Sequence, residues 1–254
     1  MMSLQCFDGK NVIVAGVGGI GRASAVLLAS LGAKIIMIDA NESSMKDTLS
    51  ILRQDKHVAY YCDFSHVDTI EPLVSKIVKD HGQIDYFVYC VGVGAVRPLK
   101  LSKYDFMRKV MDINFFSFVE MVRCISKKGN YNSIQTSIVG ISALGAFLGN
   151  ATKTAYCASK GAMNAAVRCL AKELAPKNIR INTVAPGVTD TPMARGAEEE
   201  YGSESEEYKL ILQRQYLGIC DPNDIANAVV FLLSDMSGKI TGNCIPVDGG
   251  KLSS

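Results

Sequence analysis

Residues 12–39 read VIVAGVGGIGRASAVLLASLGAKIIMID. An apolar run over 11–15 ends in a glycine turn, an amphipathic stretch follows, and a second apolar run closes on Asp39. Such continuously apolar runs suit strands covered on both faces. Gly16, Gly18 and Gly21 fit the spacing G-x-G-x-x-G. The first permits a tight turn, the second lets backbone approach a pyrophosphate, and the third lets helix pack on strand. The phosphates then sit at the positive end of the helix. Glycine turns are common, but this one follows a strand, opens a helix and precedes an acid by 18 residues. That context favours a dinucleotide site, with Gly16, Gly18, Gly19, Ile20 and Gly21 around the phosphates. Asp39 is expected to accept from the adenosine ribose hydroxyls. A 2′-phosphate there would meet an uncompensated carboxylate, since Ala40 and Asn41 follow. NAD is therefore expected over NADP.

Outward from this unit the pattern repeats. Apolar runs at 57–62, 84–89, 137–142, 179–185 and 239–247 join 11–15 and 34–39 as strands, with helix-like stretches at 19–31, 67–80, 103–127, 154–175 and 222–234. Asp221 is placed to cap the last helix, with Pro222 and Asp224 in its first turn. Alternation from end to end implies one α/β domain over 1–254: a doubly wound, Rossmann-like parallel sheet of about seven strands with helices on both faces. The polar stretch within 190–217 follows a strand's carboxyl end, where such sheets bind ligands, and is read as a substrate loop or lid.

Composition narrows the function. The chain has 254 residues, a net charge of +2, and is 48% hydrophobic and 20% charged, an ordinary balance for a water-soluble protein. That charge offers no case for nucleic acid or an anionic membrane. No apolar run reaches the ~20 residues of a spanning helix, and the first residues lack a secretion-signal pattern. Eight scattered cysteines without C-x-x-C and three histidines without ligand spacing suggest reduced thiols and no metal. A cytoplasmic location is the expectation.

The stretch TAYCASK, 154–160, places Tyr156 and Lys160 four apart, on one helix face. At ~4 Å and an effective dielectric of ~20, the ammonium would favour a phenolate by about 4 kcal/mol, on the order of three pKa units. A tyrosine so tuned is a usable general acid or base.

With a nucleotide turn at one end and YCASK in the middle, the chain resembles the short-chain dehydrogenase/reductase family, classical type. The likeness runs nearly end to end, through Asp63 in CDFS, Asn114 in MDINFFS, APGVTDT at 185–191 and ITGNCIPVDGG at 240–250. The resemblance implies hydride transfer between a nicotinamide and a secondary alcohol or ketone. It assigns Tyr156 as acid/base and gives Lys160 to Tyr156 and the nicotinamide ribose. Asn114 would hold a water beside Lys160. Pro186, Gly187, Val188 and Thr191 are assigned to the nicotinamide, Asp63 and Phe64 to the adenine, and Val91 and Gly92 to the cofactor's path. A homotetramer is expected, because the equivalent of 103–127 often packs on a partner. Alternatives are a 3-oxoacyl-carrier-protein reductase and a non-catalytic dinucleotide-binding scaffold or sensor.

The chain departs from the family in three places. Its glycine turn is one residue short, with Ala15 for the usual threonine, and YCVG stands where N-N-A-G is usual. The family's serine lies 13 residues before the tyrosine, which here is Ala143, whereas Ser142 lies 14 before. Adjacent strand residues face opposite sides, so the alignments differ in consequence. An extra residue before Tyr156 would make SALG the match and Ser142 catalytic. The ungapped alignment would leave alanine at the substrate oxygen. Ser142 is the expectation.

Overall fold

The computed structural model describes residues 7–52, 56–195 and 213–253. Seven strands form one sheet: β1 (Asn11–Ala15), β2 (Lys34–Asp39), β3 (Val58–Tyr61), β4 (Tyr86–Tyr89), β5 (Thr136–Ile141), β6 (Ile179–Pro186) and β7 (Cys244–Val247). All pair in parallel in the order β3-β2-β1-β4-β5-β6-β7. Val14 lies between Met37 on β2 and Val88 on β4, all three fully buried. Parallel strands need crossovers, and the apolar runs are long enough to bury both faces of the sheet.

Among the described residues, that cover comes from α1 (Gly19–Ser30), α2 (Glu42–Leu52), α3 (Ile70–His81), α4 (Tyr104–Met111), α5 (Ser117–Ile125), α6 (Thr154–Leu174) and α7 (Pro222–Leu233). Ile13, Ile36, Phe87 and Ile138 point to the face that carries α3, α5 and α6. Val12, Met37, Val88 and Val139 point to the face under α1 and α7. The period-two alternation along each strand thus fills two cores. At α7 the expected cap is present: Asp221 accepts from Asn223 N at 2.8 Å, and Asp224 accepts from Asp221 N at 2.8 Å.

Several boundaries differ from the sequence reading. The strand expected over 239–247 shortens to Cys244–Val247, because Gly242 adopts φ +74° and turns the chain just before it. The helix expected from 67 begins as a 3₁₀ turn, Val67–Thr69. Helix α2, absent from the stretches picked out above, crosses from β2 to β3. The continuous helix expected over 103–127 is interrupted by a π-helical turn, Asp112–Phe116. Such turns insert one extra residue and recur at functional sites. Most of the polar insert, residues 196–212, lies outside the described residues.

Candidate active site

After β1 the chain winds outward through β2 and β3, and after β4 it winds the other way through β5 to β7. Connections leaving β1 and β4 in opposite directions open a crevice at their carboxyl ends. A cavity of about 890 Å³ lies there, within the size range of small-ligand sites.

The glycine turn forms one wall. Gly16 has φ +81°, and a Cβ there would come within 2.7 Å of Val91 N. A Cβ on Gly21 would stand 1.7 Å from the Gly16 carbonyl oxygen, so helix α1 can start here only on glycine. Gly18 has nothing within 4 Å of an added Cβ, which leaves room for a phosphate. Gly19 and Ile20 line the same wall. Asp39 closes this end: one oxygen accepts from Val17 N at 2.7 Å and the other from Asn41 N at 2.8 Å. Its cavity neighbours include Ala40, Asn41 and Ser44, and the only basic residues among the described residues lining the cavity are Lys153 and Lys160.

Asp63 and Phe64 also line the cavity. The backbone N–H of Ser65 and then its hydroxyl, at 2.9 and 2.8 Å, hold the Asp63 carboxyl below its ordinary range. The Phe64 ring is buried and sits edge-on to Tyr89, 5.9 Å between centroids. It is therefore part of the core as well as the cavity lining.

Helix α6 carries Tyr156 and Lys160 along the cavity. Lys160, 4% exposed, donates from Nζ to the Ile141 carbonyl at 2.7 Å. Asn114, fully buried in the π-turn, accepts from Val93 N at 2.8 Å and donates to Val93 O at 3.2 Å and Ser159 Oγ at 3.0 Å. A Cβ on Gly92 would come within 3.4 Å of both Asn114 Oδ1 and Lys160 Nζ, so these three meet. The π-turn also presents the Ile113 carbonyl to two donors, Tyr89 OH at 2.6 Å and Ser117 Oγ at 2.7 Å. Tyr89, standing where the family has an asparagine, thereby becomes a brace for the turn that holds Asn114.

Pro186, Gly187, Val188 and Thr191 line the opposite wall. A Cβ on Gly19 would meet Thr191 Cγ2 at 2.6 Å, so the glycine turn and this strip nearly touch. Gln215, which no sequence signal marked, locks the strip: it accepts from Val188 N at 2.9 Å and donates to Val188 O at 3.0 Å. Arg97 turns aside, its guanidinium 4.0 Å over the Phe106 ring.

Ser142 follows the last residue of β5, donating its backbone N–H to Val184 O at 2.7 Å. Both Ser142 and Ala143 line the cavity. The Ser142 hydroxyl is buried, the residue 2% exposed, with no nitrogen or oxygen partner among the described residues; it lies beside the Cys244 thiol, whose pKa burial raises and hydrogen bonds from Thr183, Asn164 and Ser142 oppose.

One electrostatic expectation is corrected. Burial, then the Cys157 thiol, pushes the Tyr156 phenol up to about 12. Lys160 does not pull it down, because that ammonium is turned to the Ile141 carbonyl. Burial lowers Lys160 itself to about 8, with the Cys90 thiol opposing. Desolvation penalises both charged forms and outweighs the pairwise attraction estimated from sequence. Cys90 is likewise pushed up to about 12 by burial, which keeps it a protonated filler under Gly21.

A family model described as "Enoyl-(Acyl carrier protein) reductase" matches residues 14–251. The chain belongs to the short-chain dehydrogenase/reductase family. It is 33% identical to carbonyl reductase family member 4 of Danio rerio, over 94% of this chain and 96% of that protein. It is also 33% identical to a 3-oxoacyl-[acyl-carrier-protein] reductase of Rickettsia felis, over 96% and 97%. An actinorhodin polyketide ketoreductase solved with NADPH superposes with a TM-score of 0.88 at 26% identity, covering 97% of this chain and 98% of that one. The protein is thus a nicotinamide-dependent oxidoreductase acting on alcohol and carbonyl groups. Among the described residues no helix is long and apolar enough to cross a membrane. One group of possible metal ligands, Glu71, Glu120 and Cys124, lies away from the cavity, and Arg123 and Lys127 pair with its carboxylates.

Proposed function

We propose that the protein interconverts a secondary alcohol and a ketone with NAD(H), using Ser142, Tyr156 and Lys160. The observation that carries this reading is the buried Ser142 hydroxyl, without a nitrogen or oxygen partner among the described residues, in the same cavity as Tyr156. The Cys244 thiol beside it is a weak partner, and a substrate oxygen would satisfy the hydroxyl better.

The cavity suits a dinucleotide: it has phosphate room at Gly18 and, beside it, the Asp39 carboxylate for the ribose hydroxyls. When bound, the nicotinamide ring accepts or supplies the hydride, and its oxidised form adds a positive charge near the phenol. In oxidation Ser142 binds the substrate hydroxyl and Tyr156 removes its proton. In reduction Tyr156 returns that proton while Ser142 donates to the developing oxyanion. Lys160 holds the nicotinamide ribose and, drawn towards it from the Ile141 carbonyl, stabilises the phenolate. Asn114 keeps a water beside Lys160, through which protons reach solvent. Pro186, Gly187, Val188 and Thr191 flank the nicotinamide, with Val91 and Gly92 opposite, and Asp63 and Phe64 flank the adenine.

Preference for NAD rests on Asp39 and on the absence of a described basic residue lining that end. The same carboxylate weighs against the 3-oxoacyl-carrier-protein reductase reading, which the Rickettsia relative otherwise favours. Exposed Leu99, Leu101, Tyr104 and Phe116, at 75, 55, 72 and 45%, support a homotetramer packed through α4 and α5. A cytoplasmic location fits this reading.

NADH oxidation with a broad carbonyl panel tests the proposal. Tyr156→Phe is expected to keep NADH binding and lose turnover ~100-fold or more. Near-normal turnover of that variant at saturating NADH, or tight NADH binding by wild type with no turnover of any carbonyl, would overturn it.

A further inference from the structure

Between Val188 and Thr191, in the wall assigned to the nicotinamide, stands Thr189, 4% exposed and also lining the cavity. It pairs with Cys220 in an isolated parallel bridge. Cys220 N donates to Val188 O and Asp190 N donates to Cys220 O, both at 2.9 Å. In extended backbone the N–H and C=O of one residue point to one side, and those of the next residue to the other. The bridge therefore uses the peptide groups of Val188 and Asp190 and turns those of Thr189 the opposite way.

Gln215 braces this wall from behind. It is 2% exposed and stands outside the cavity lining. Its Oε1 accepts from Val188 N at 2.9 Å. Its Nε2 donates to the carbonyls of Val188 and Gly218, at 3.0 and 2.6 Å. One backbone donor and two backbone acceptors thus meet the one oxygen and two N–H groups of a primary amide. Methionine, of similar length, offers no such match, and a carboxylate offers no donor.

The surrounding chain makes room for this side chain. A Cβ on Gly187 would stand 2.6 Å from Gln215 Oε1, and one on Gly249 would stand 2.7 Å from its Cγ. Gly187 N donates to Val247 O at 2.9 Å, and Leu217 N donates to Gly249 O at 3.1 Å. The amide sits where segments 187–189, 215–218 and 247–249 join. Without it, the backbone between the Gly187 bond and the Cys220 bridge loses its brace.

We infer that Gln215 is a positioning residue for hydride transfer, its carboxamide fixing the height of the 187–189 backbone against which the nicotinamide ring lies. This rests on the dinucleotide reading of the same cavity. The side chain touches neither cofactor nor substrate and acts through Val188.

The test compares NADH with ADP-ribose, which keeps the groups for the glycine turn and Asp39 but lacks the nicotinamide. Gln215→Met retains packing and removes the amide. Calorimetry should show its NADH affinity lowered ~5-fold, the worth of about one hydrogen bond, with ADP-ribose affinity unchanged. At saturating NADH its single-turnover rate should fall ~10- to 100-fold, the cost of a misplaced reactant. Gln215→Asn, whose amide is one methylene too short to reach the same groups, should show the same split. Equal losses for NADH and ADP-ribose, or wild-type affinity and rate, overturn the inference and leave the dehydrogenase reading standing. If no carbonyl is turned over by wild type, the dehydrogenase reading fails and the binding split alone decides the role of Gln215. If wild type binds neither NADH nor ADP-ribose, the dinucleotide reading fails and takes the inference with it. If neither variant folds, hydrogen exchange on wild type decides: a Val188 N–H protected before NADH is added upholds the brace, and rapid exchange overturns it.

Discussion

Lys160 donates its ammonium to the carbonyl of Ile141, the residue before Ser142, at 2.7 Å. That bond ties the middle of α6 to the end of β5, so the lysine helps to fix the serine's position as well as its own. Lys160→Ala should therefore lose more than one property. NADH affinity should fall because the ribose contact is gone, and turnover should fall because the phenolate loses its ammonium. Fluorescence titration with NADH, followed by rates at saturating NADH, separates the two effects. A variant that retains wild-type affinity would remove the ribose role from Lys160.

Asp39 sets the cofactor preference in this account. NADH should bind ~10-fold or more tightly than NADPH, a difference of at least ~1.4 kcal/mol. Asp39→Asn keeps an oxygen for Val17 N, which the carboxylate now accepts at 2.7 Å, and removes the charge. It should narrow the gap mainly by improving NADPH binding. Asp39→Ser should narrow it too, with looser binding of both, because the shorter side chain cannot span Val17 and Asn41. Equal dissociation constants for the two cofactors on wild type would contradict the assignment.

The fold was legible because each strand carries a continuous apolar run and each turn its own punctuation. Gly16 to Gly21 announced the crossover, and Asp221 with Asp224 announced the start of α7. What remained hidden depended on contacts between distant segments. The π-turn at Asp112–Phe116 leaves no periodicity signal, since one extra residue in a long helix looks like ordinary drift. Gln215 lies 27 residues beyond the backbone it braces. The Tyr156 phenol misled because a pairwise estimate counts the lysine but not the water both groups lose on burial.

His57 offers a test of stability against pH, away from the cavity. It is buried at 6% exposure, Nδ1 accepts from Ile35 N at 3.1 Å, and Nε2 has no partner among the described residues. Burial, and then the charge of Lys56, lowers its pKa. The unfolded chain takes up this proton near pH ~6.5 while the folded chain resists it, so stability should fall as pH drops below that value. His57→Asn keeps an acceptor for Ile35 but does not titrate. Its thermal midpoint should fall less steeply than wild type between pH 7 and 5. Parallel curves would show that His57 does not supply the pH sensitivity.

The hydroxyl of Ser142 is buried in the cavity beside the Cys244 thiol, without a nitrogen or oxygen partner among the described residues. The measurement is the single-turnover rate of NADH oxidation, with a carbonyl that wild type reduces, in Ser142→Ala and Ala143→Ser. A lost oxyanion donor costs ~100- to 1,000-fold, so Ser142→Ala should fall by that factor with NADH affinity kept. Ala143→Ser should gain little, because position 142 already supplies the donor. A Ser142→Ala variant that turns over at the wild-type rate, or a large gain in Ala143→Ser, would contradict the assignment and leave alanine at the substrate oxygen.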